Sequence, residues 1–166
     1  MIAHSPRNQT DSGTGPAQVF NLSLGGTARN VRDALATCRT RLSTVVFDQT
    51  ALDQIELVMA ETLNNIVEHA LTGQSGDNPI SMSCTLKGDA LSLVFQDSGA
   101  PFFGSTLPPT AFERGPTDPK SLPEGGFGWH LIHSLTDSVS YRRCDRLNRL
   151  TIIMHVSTDF DDKTRQ

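Results

Sequence analysis

The sequence predicts a two-layer α/β sandwich, a sheet with helices packed on one face. Three observations predict it. Apolar periodicity switches between two residues and three to four along the chain, the switches fall at glycine clusters or helix caps, and the segments run strand, helix, helix, two strands, long loop, helix, two strands. A chain of 166 residues suits one domain, because two cores would each fall near the size at which burial barely offsets chain entropy. The expected division is a tail at 1–16, a domain at 17–157 and a second tail at 158–166.

Residues 1–16 are polar and rich in Ser, Thr, Gly and Pro, with too little apolar area to order themselves, and read as a disordered tail. Val19-Phe20-Asn21-Leu22-Ser23-Leu24 alternates as a strand and is closed by Gly25-Gly26. Thr27 then caps a helix whose apolar residues, Val31, Leu35, Cys38 and Leu42, keep helical spacing, with Arg29, Arg32, Arg39 and Arg41 elsewhere on its surface. Leu52, Ile55, Met59, Leu63, Ile66 and Ala70 step by three or four through a second helix over 51–71, ended by Gly73 and Gly76. Strands over 80–86 and 90–96 flank Lys87-Gly88-Asp89 and read as a hairpin. Residues 100–124 hold six prolines and two glycines without sustained period, the composition of a lid or a disordered segment. After Gly125-Gly126-Phe127-Gly128 come a short helix to Leu135 and strands over 138–142 and 147–156, then an acidic, frayed end.

Several function classes are disfavoured at once. A net charge of −4 provides no diffuse positive field for phosphate backbones, which excludes direct nucleic-acid binding. Cys38, Cys84 and Cys144 are odd in number and lack the paired spacing of a zinc or disulfide framework, so they read as reduced, buried thiols. No apolar run approaches the roughly 18 residues of a membrane span, and the N-terminus lacks a signal-peptide core. The expectation is no membrane and a cytoplasmic location.

Three pieces carry chemistry. In Glu61-Thr62-Leu63-Asn64-Asn65-Ile66-Val67-Glu68-His69-Ala70, helical spacing puts Glu61, Asn65 and either Glu68 or His69 on one face. A solvated face is the bland alternative. In Leu93-Val94-Phe95-Gln96-Asp97-Ser98-Gly99, a strand runs into an acidic residue and a glycine; Asp97 could equally be an Asx-turn residue with Gly99 supplying positive φ. In Pro123-Glu124-Gly125-Gly126-Phe127-Gly128-Trp129-His130, glycines open a helix, and free amides at such an end make a natural phosphate site.

In this order, with a Pro-rich lid between the second and third, the pieces resemble the N box and the two glycine boxes of the Bergerat ATPase superfamily over residues 19–156. That superfamily includes gyrase, histidine kinases and the mismatch-repair ATPase. The helix text ExxxNxxxHA, the form GGFGWHLI, the segment Leu135-Thr136-Asp137-Ser138-Val139-Ser140-Tyr141 and the closing Arg146-Leu147-Asn148-Arg149-Leu150-Thr151-Ile152 are most similar to the small anti-sigma factor serine/threonine kinases of bacteria. A histidine kinase would be expected to carry a helical dimerisation region upstream, and gyrase-like enzymes a transducer domain downstream.

The resemblance implies a Bergerat fold, with a mixed, mostly antiparallel sheet and an ATP lid. It implies ATP and magnesium as cofactors, Asn65 as the magnesium ligand, Glu61 as general base, Asp97 as acceptor of the adenine amino group, and Gly99 giving the base room. Gly125, Gly126, Phe127 and Gly128 would line the phosphates, with residues 103–124 closing over them. His69, Phe127 and Trp129 read as packed structural residues. Some relatives carry an arginine just before the last box; this chain has Leu122-Pro123-Glu124, leaving Arg114 or Lys120 to supply that charge. The implied partners are a sigma factor and an anti-anti-sigma (STAS-type) protein that is phosphorylated, with a homodimer left open. Arg29, Arg32 and Arg39 are solvated by default or face an acidic partner. The alternative is a non-catalytic, ATP-dependent binding module.

Overall fold

The computed structural model describes residues 15–72, 78–102 and 126–157. Strand β1 (Ala17–Leu24) is followed by helices α1 (Ala28–Leu42) and α2 (Gln49–Asn65), a π-helical turn (Ile66–Ala70), strands β2 (Ile80–Lys87) and β3 (Ala90–Asp97), helix α3 (Gly126–Leu135), and strands β4 (Ser138–Cys144) and β5 (Leu147–His155). The expected order of elements is recovered. The tails, apart from residues 15 and 16, lie outside the described residues.

The five strands are ordered β1-β2-β3-β5-β4. β3 and β4 run parallel, but β5 lies between them, so all four described pairings are antiparallel where the expected sheet was mixed. The topology is set by tight turns. Gly88, at φ +61°, takes the first central position of the β2–β3 hairpin, where a left-handed residue matches strand twist, and Asp145, at φ 55°, does so for β4–β5. Alternation then places Phe20, Met82, Cys84, Leu93, Phe95, Leu150 and Ile152 on one buried face, where register sets Met82 opposite Phe95 and Phe95 opposite Leu150.

The helices close that face with Val31, Cys38 and Leu42 from α1 and Ile55, Val58, Met59 and Leu63 from α2, all buried. Thr27 caps α1 as expected, its hydroxyl accepting from Asn30 N at 3.2 Å, and Asp48 caps α2 through Thr50 N at 2.8 Å. Arg39 bridges the two helices, with Nη2 on Asp53 Oδ1 at 2.8 Å and Nη1 on Glu56. That corrects the reading of Arg39 as solvated or partner-facing, whereas Arg29 and Arg32 are exposed. Cys38 and Cys84 are buried, and desolvation pushes both thiols up to about 12. Cys144 is exposed, contrary to expectation, because it ends the edge strand β4 at the hairpin turn.

The second helix departs from its expected course at Ile66. Leu71 N donates to Ile66 O at 3.0 Å, five residues back, so the last turn is widened. An α-helical continuation would bring His69, four residues on from Asn65, onto the same face. Ala70, the last residue of the expected apolar row, is 1% exposed, while Glu68 and His69 are exposed. His69 is therefore not the packed residue expected from sequence.

Candidate functional site

α2 presents Glu61 and, one turn later, Asn65. Glu61 is half-buried and Asn65 is 6% exposed. The Asn65 Nδ2 atom is buried without a hydrogen-bond partner among the described residues, an arrangement that costs free energy unless something else uses the side chain. The first turn of α3 lies directly against both residues. A Cβ built on Gly128 would stand 2.6 Å from Glu61 Oε2 and 3.7 Å from each amide heavy atom of Asn65. Glycine thus lets a helix start, with its unsatisfied amides, approach a carboxylate and a buried amide. The Asn65 amide could offer its oxygen, a hard donor, to a magnesium ion that keeps waters and phosphates as its other ligands, and its unpartnered Nδ2 to a phosphate oxygen, so the residues fit a magnesium-nucleotide.

The second cluster is built at the end of β3. Asp97 is 3% exposed, and Gly99 N donates to its Oδ1 at 2.8 Å, the Asx-type turn that sequence left open. Gly99 does not have positive φ; among described glycines only Gly88 does. Its need for glycine is steric instead. A Cβ there would fall 2.3 Å from Ala70 O, and Ala100 N donates to that same carbonyl at 2.7 Å. The π turn of the first piece and the loop of the second are therefore in direct backbone contact.

Burial pushes the Asp97 carboxyl above the usual carboxylate range, opposed by hydrogen bonds from Asn148 and Gly99 and by the Arg143 charge. Asn148 faces Asp97 across the β3–β5 ladder and donates Nδ2 to its Oδ1 at 2.7 Å. Asn148 Oδ1 accepts from Tyr141 OH at 2.7 Å and from Arg143 Nη1. Sequence reasoning assigned none of these three a role at the site. The available signal was alternation: Leu150, Ile152 and Met154 are buried, and stepping back by two from Leu150 puts a polar Asn148 on the core face.

Phe102 packs edge-on to Trp129, with ring centroids 5.5 Å apart, and to Tyr141 at 5.6 Å. Trp129, 2% exposed, has the core role expected of it and joins α3 to the loop after β3. Gly126 and Phe127 belong to the first turn of α3. Gly125, Arg114, Lys120, residues 122–124 and the rest of the expected lid at 103–124 lie outside the described residues.

The family described as histidine kinase-like ATPase domain matches residues 24–154. Serine-protein kinase RsbW of Bacillus mycoides (strain KBAB4) is 32% identical over 92 residues, 53% of this chain and 54% of the relative. Serine/threonine-protein kinase BtrW of Bordetella bronchiseptica (strain ATCC BAA-588 / NCTC 13252 / RB50) is 32% identical over 105 residues, 61% of this chain and 68% of the relative. The chain thus spans about half the length of the first and about two thirds of the second. Among solved structures, the histidine kinase domain from the Erythrobacter litoralis EL346 blue-light activated histidine kinase superposes with a TM-score of 0.43 at 16% identity, covering 64% of this chain and 45% of that one. No helix among the described residues is long and apolar enough to cross a membrane.

Proposed function

Because the chain belongs to the histidine kinase-like ATPase domain family, and within it to the anti-sigma factor serine/threonine kinases that its boxes resemble, we propose that it is a cytoplasmic protein kinase using magnesium-ATP. In this reading it binds a sigma factor and phosphorylates a serine or threonine of an anti-anti-sigma, STAS-type antagonist. The observation that carries the reading is the gathering of Glu61, Asn65 and the glycine-opened start of α3 at one place.

Magnesium-ATP, when bound, supplies the transferable phosphoryl group and the cation that offsets its charge. Asn65 offers its amide oxygen to the metal. The amides of Gly126 and Gly128, at the positive end of α3, would hold the phosphates. Asp97, held in a dry setting, accepts from the adenine amino group. Glu61 accepts the proton of the incoming hydroxyl, one turn from the metal ligand, which is the only proton transfer the step requires. Positioning and charge complementarity supply the remainder of the catalysis.

A second reading, an ATP-dependent binding module without transfer, is favoured by one feature: Leu122-Pro123-Glu124 stand where some relatives carry an arginine. One experiment separates the two. The protein is incubated with γ-labelled ATP, magnesium and the STAS-type proteins of the same organism, and co-purification with a sigma factor is scored in parallel. Label on a serine or threonine of the antagonist supports the kinase. Nucleotide binding and sigma-factor capture without label support the module, and no nucleotide binding refutes both.

A further inference from the structure

The three sequence boxes account for Asp97 and Gly99 but not for the polar side chains that face them from β4 and β5. Asn148 is 1% exposed, and a buried amide is costly unless satisfied. Here it is satisfied at both ends. Nδ2 donates to Asp97 Oδ1 at 2.7 Å and to Ala100 O at 3.0 Å, and Oδ1 accepts from Tyr141 OH at 2.7 Å and from Arg143 Nη1. Only one orientation of the amide is allowed, since a guanidinium can only donate and a carboxylate or carbonyl can only accept. Tyr141 OH also accepts from Phe102 N at 3.3 Å, and Arg143 donates to Gly99 O at 3.0 Å. Three side chains from two neighbouring strands therefore hold the segment from Asp97 to Phe102.

This network has a specific effect on the carboxylate. Both hydrogen bonds that Asp97 accepts among the described residues, from Gly99 N and Asn148 Nδ2, fall on Oδ1. The group cannot swing without breaking one of them, and Oδ2 is left as the oxygen offered to a ligand. The two purine edges differ here. A 6-aminopurine presents a donor at C6 and an acceptor at N1, whereas a 6-oxopurine presents an acceptor at C6 and a donor at N1. A mobile carboxylate could shift to meet the N1–H of a 6-oxopurine. A fixed one meets the 6-amino group and confronts the 6-oxo oxygen with like partial charge.

We propose that Asn148, held by Tyr141 and Arg143, is a positioning residue for purine selection, fixing Asp97 so that the site accepts 6-aminopurine and rejects 6-oxopurine nucleotides. The inference rests on the reading of Asp97 as the adenine acceptor. The test is the ratio of ATP to ITP affinity in the full chain with magnesium. Both nucleotides are measured on one preparation, so any loss of active fraction cancels. Asn148→Leu, similar in size but without a donor, is expected to lower the ratio at least tenfold, the effect of freeing a charge-assisted hydrogen bond. Tyr141→Phe keeps the ring against Phe102 and removes only one partner of Asn148; its expected fall is about threefold. A purely structural role would weaken both nucleotides alike and leave the ratio unchanged, and that result overturns the proposal. Should Asn148→Leu fail to fold, Tyr141→Phe decides by the same criterion. Asp97→Asn separates the two layers of the argument. An unchanged ratio in that variant refutes the adenine reading itself, whereas a collapsed ratio there with an intact ratio in the Asn148 and Tyr141 variants refutes only the positioning role.

Discussion

Gly128→Ala separates catalysis from binding without replacing any side chain proposed to do either. The added Cβ would stand 2.6 Å from Glu61 Oε2, against an ordinary contact of about 3.4 Å, so the carboxylate must retreat by roughly 0.8 Å. It can do so at little cost, because the displaced atom is the far end of a flexible side chain. Asn65 stands 3.7 Å from the same Cβ, already an ordinary contact, and need not move. Alanine within a helix is also favoured over glycine by about 0.5–1 kcal/mol. The variant should therefore be at least as stable as the parent and bind magnesium-ATP with near-parental affinity. Its phosphoryl transfer should fall about 10²-fold, the cost of misplacing a reacting group by about 1 Å. Thermal unfolding, calorimetry with ATP, and single-turnover transfer with nucleotide in excess report the three quantities separately. A parental transfer rate in Gly128→Ala would refute the placement of Glu61 at the chemistry. Loss of ATP affinity in step with rate would instead mean that the Gly128 position is occupied by the nucleotide itself.

Glu61→Gln keeps shape and hydrogen bonding but removes the proton acceptor, so transfer should drop ~10²–10⁴-fold with ATP affinity retained; a drop below tenfold in a single-turnover assay would exclude Glu61 as base. Asp97→Asn should lose ATP binding yet stay folded, because its amide oxygen can still accept from Gly99 and Asn148. The sign of the pH effect follows from the carboxyl being raised by burial: the folded state holds that proton more tightly than the unfolded chain, so ionised Asp97 opposes folding at neutral pH and its contribution becomes favourable as pH falls through the raised value. Denaturant titration should accordingly find Asp97→Asn no less stable than the parent at neutral pH, and ATP affinity of the parent should decline on acidification as Asp97 takes up its proton. Gly99→Ala should behave opposite to Gly128→Ala, since its Cβ would fall 2.3 Å from the backbone oxygen of Ala70, which cannot retreat without breaking the bond from Ala100; a loss of about 1–3 kcal/mol in urea unfolding is expected, and a neutral result would refute the close approach.

What was legible in the sequence and what was not divides along the range of the interactions involved. Caps, hairpin turns and the inward rows of the strands were readable because each depends on residues a few positions apart: Thr27 with Asn30, Gly88 between its strands, Phe95 alternating with Leu93. The exposure of Cys144 was not readable, since it follows from β4 being an edge strand, and strand order is a property of the assembled sheet. Arg39 was misread for the same reason: its partners Asp53 and Glu56 lie on another helix.

The site itself shows the division most sharply at Ala70. The α-helical reading puts Glu68 or His69 on the face of Asn65 and Ala70 in the apolar row, and takes Gly99 as a turn residue or as room for the adenine. At the π turn the residue against Gly99 is Ala70, with a single methyl, and the approach is close: a Cβ on Gly99 would stand 2.9 Å from Ala70 Cβ, and Ala100 N bonds Ala70 O at 2.7 Å. Nothing local requires the wider turn, because Ile66 to Ala70 contains no proline or glycine to break the helix. The contact that the turn makes with the loop after β3 is the compensating gain, and its chemistry explains the location: the helix bearing Glu61 and Asn65 and the strand bearing Asp97 must meet at a fixed separation if one nucleotide is to touch all three. The wider turn, whose last carbonyl is bonded by Ala100 thirty residues away, lies beyond any reading of periodicity, and here it joins the two halves of the proposed site.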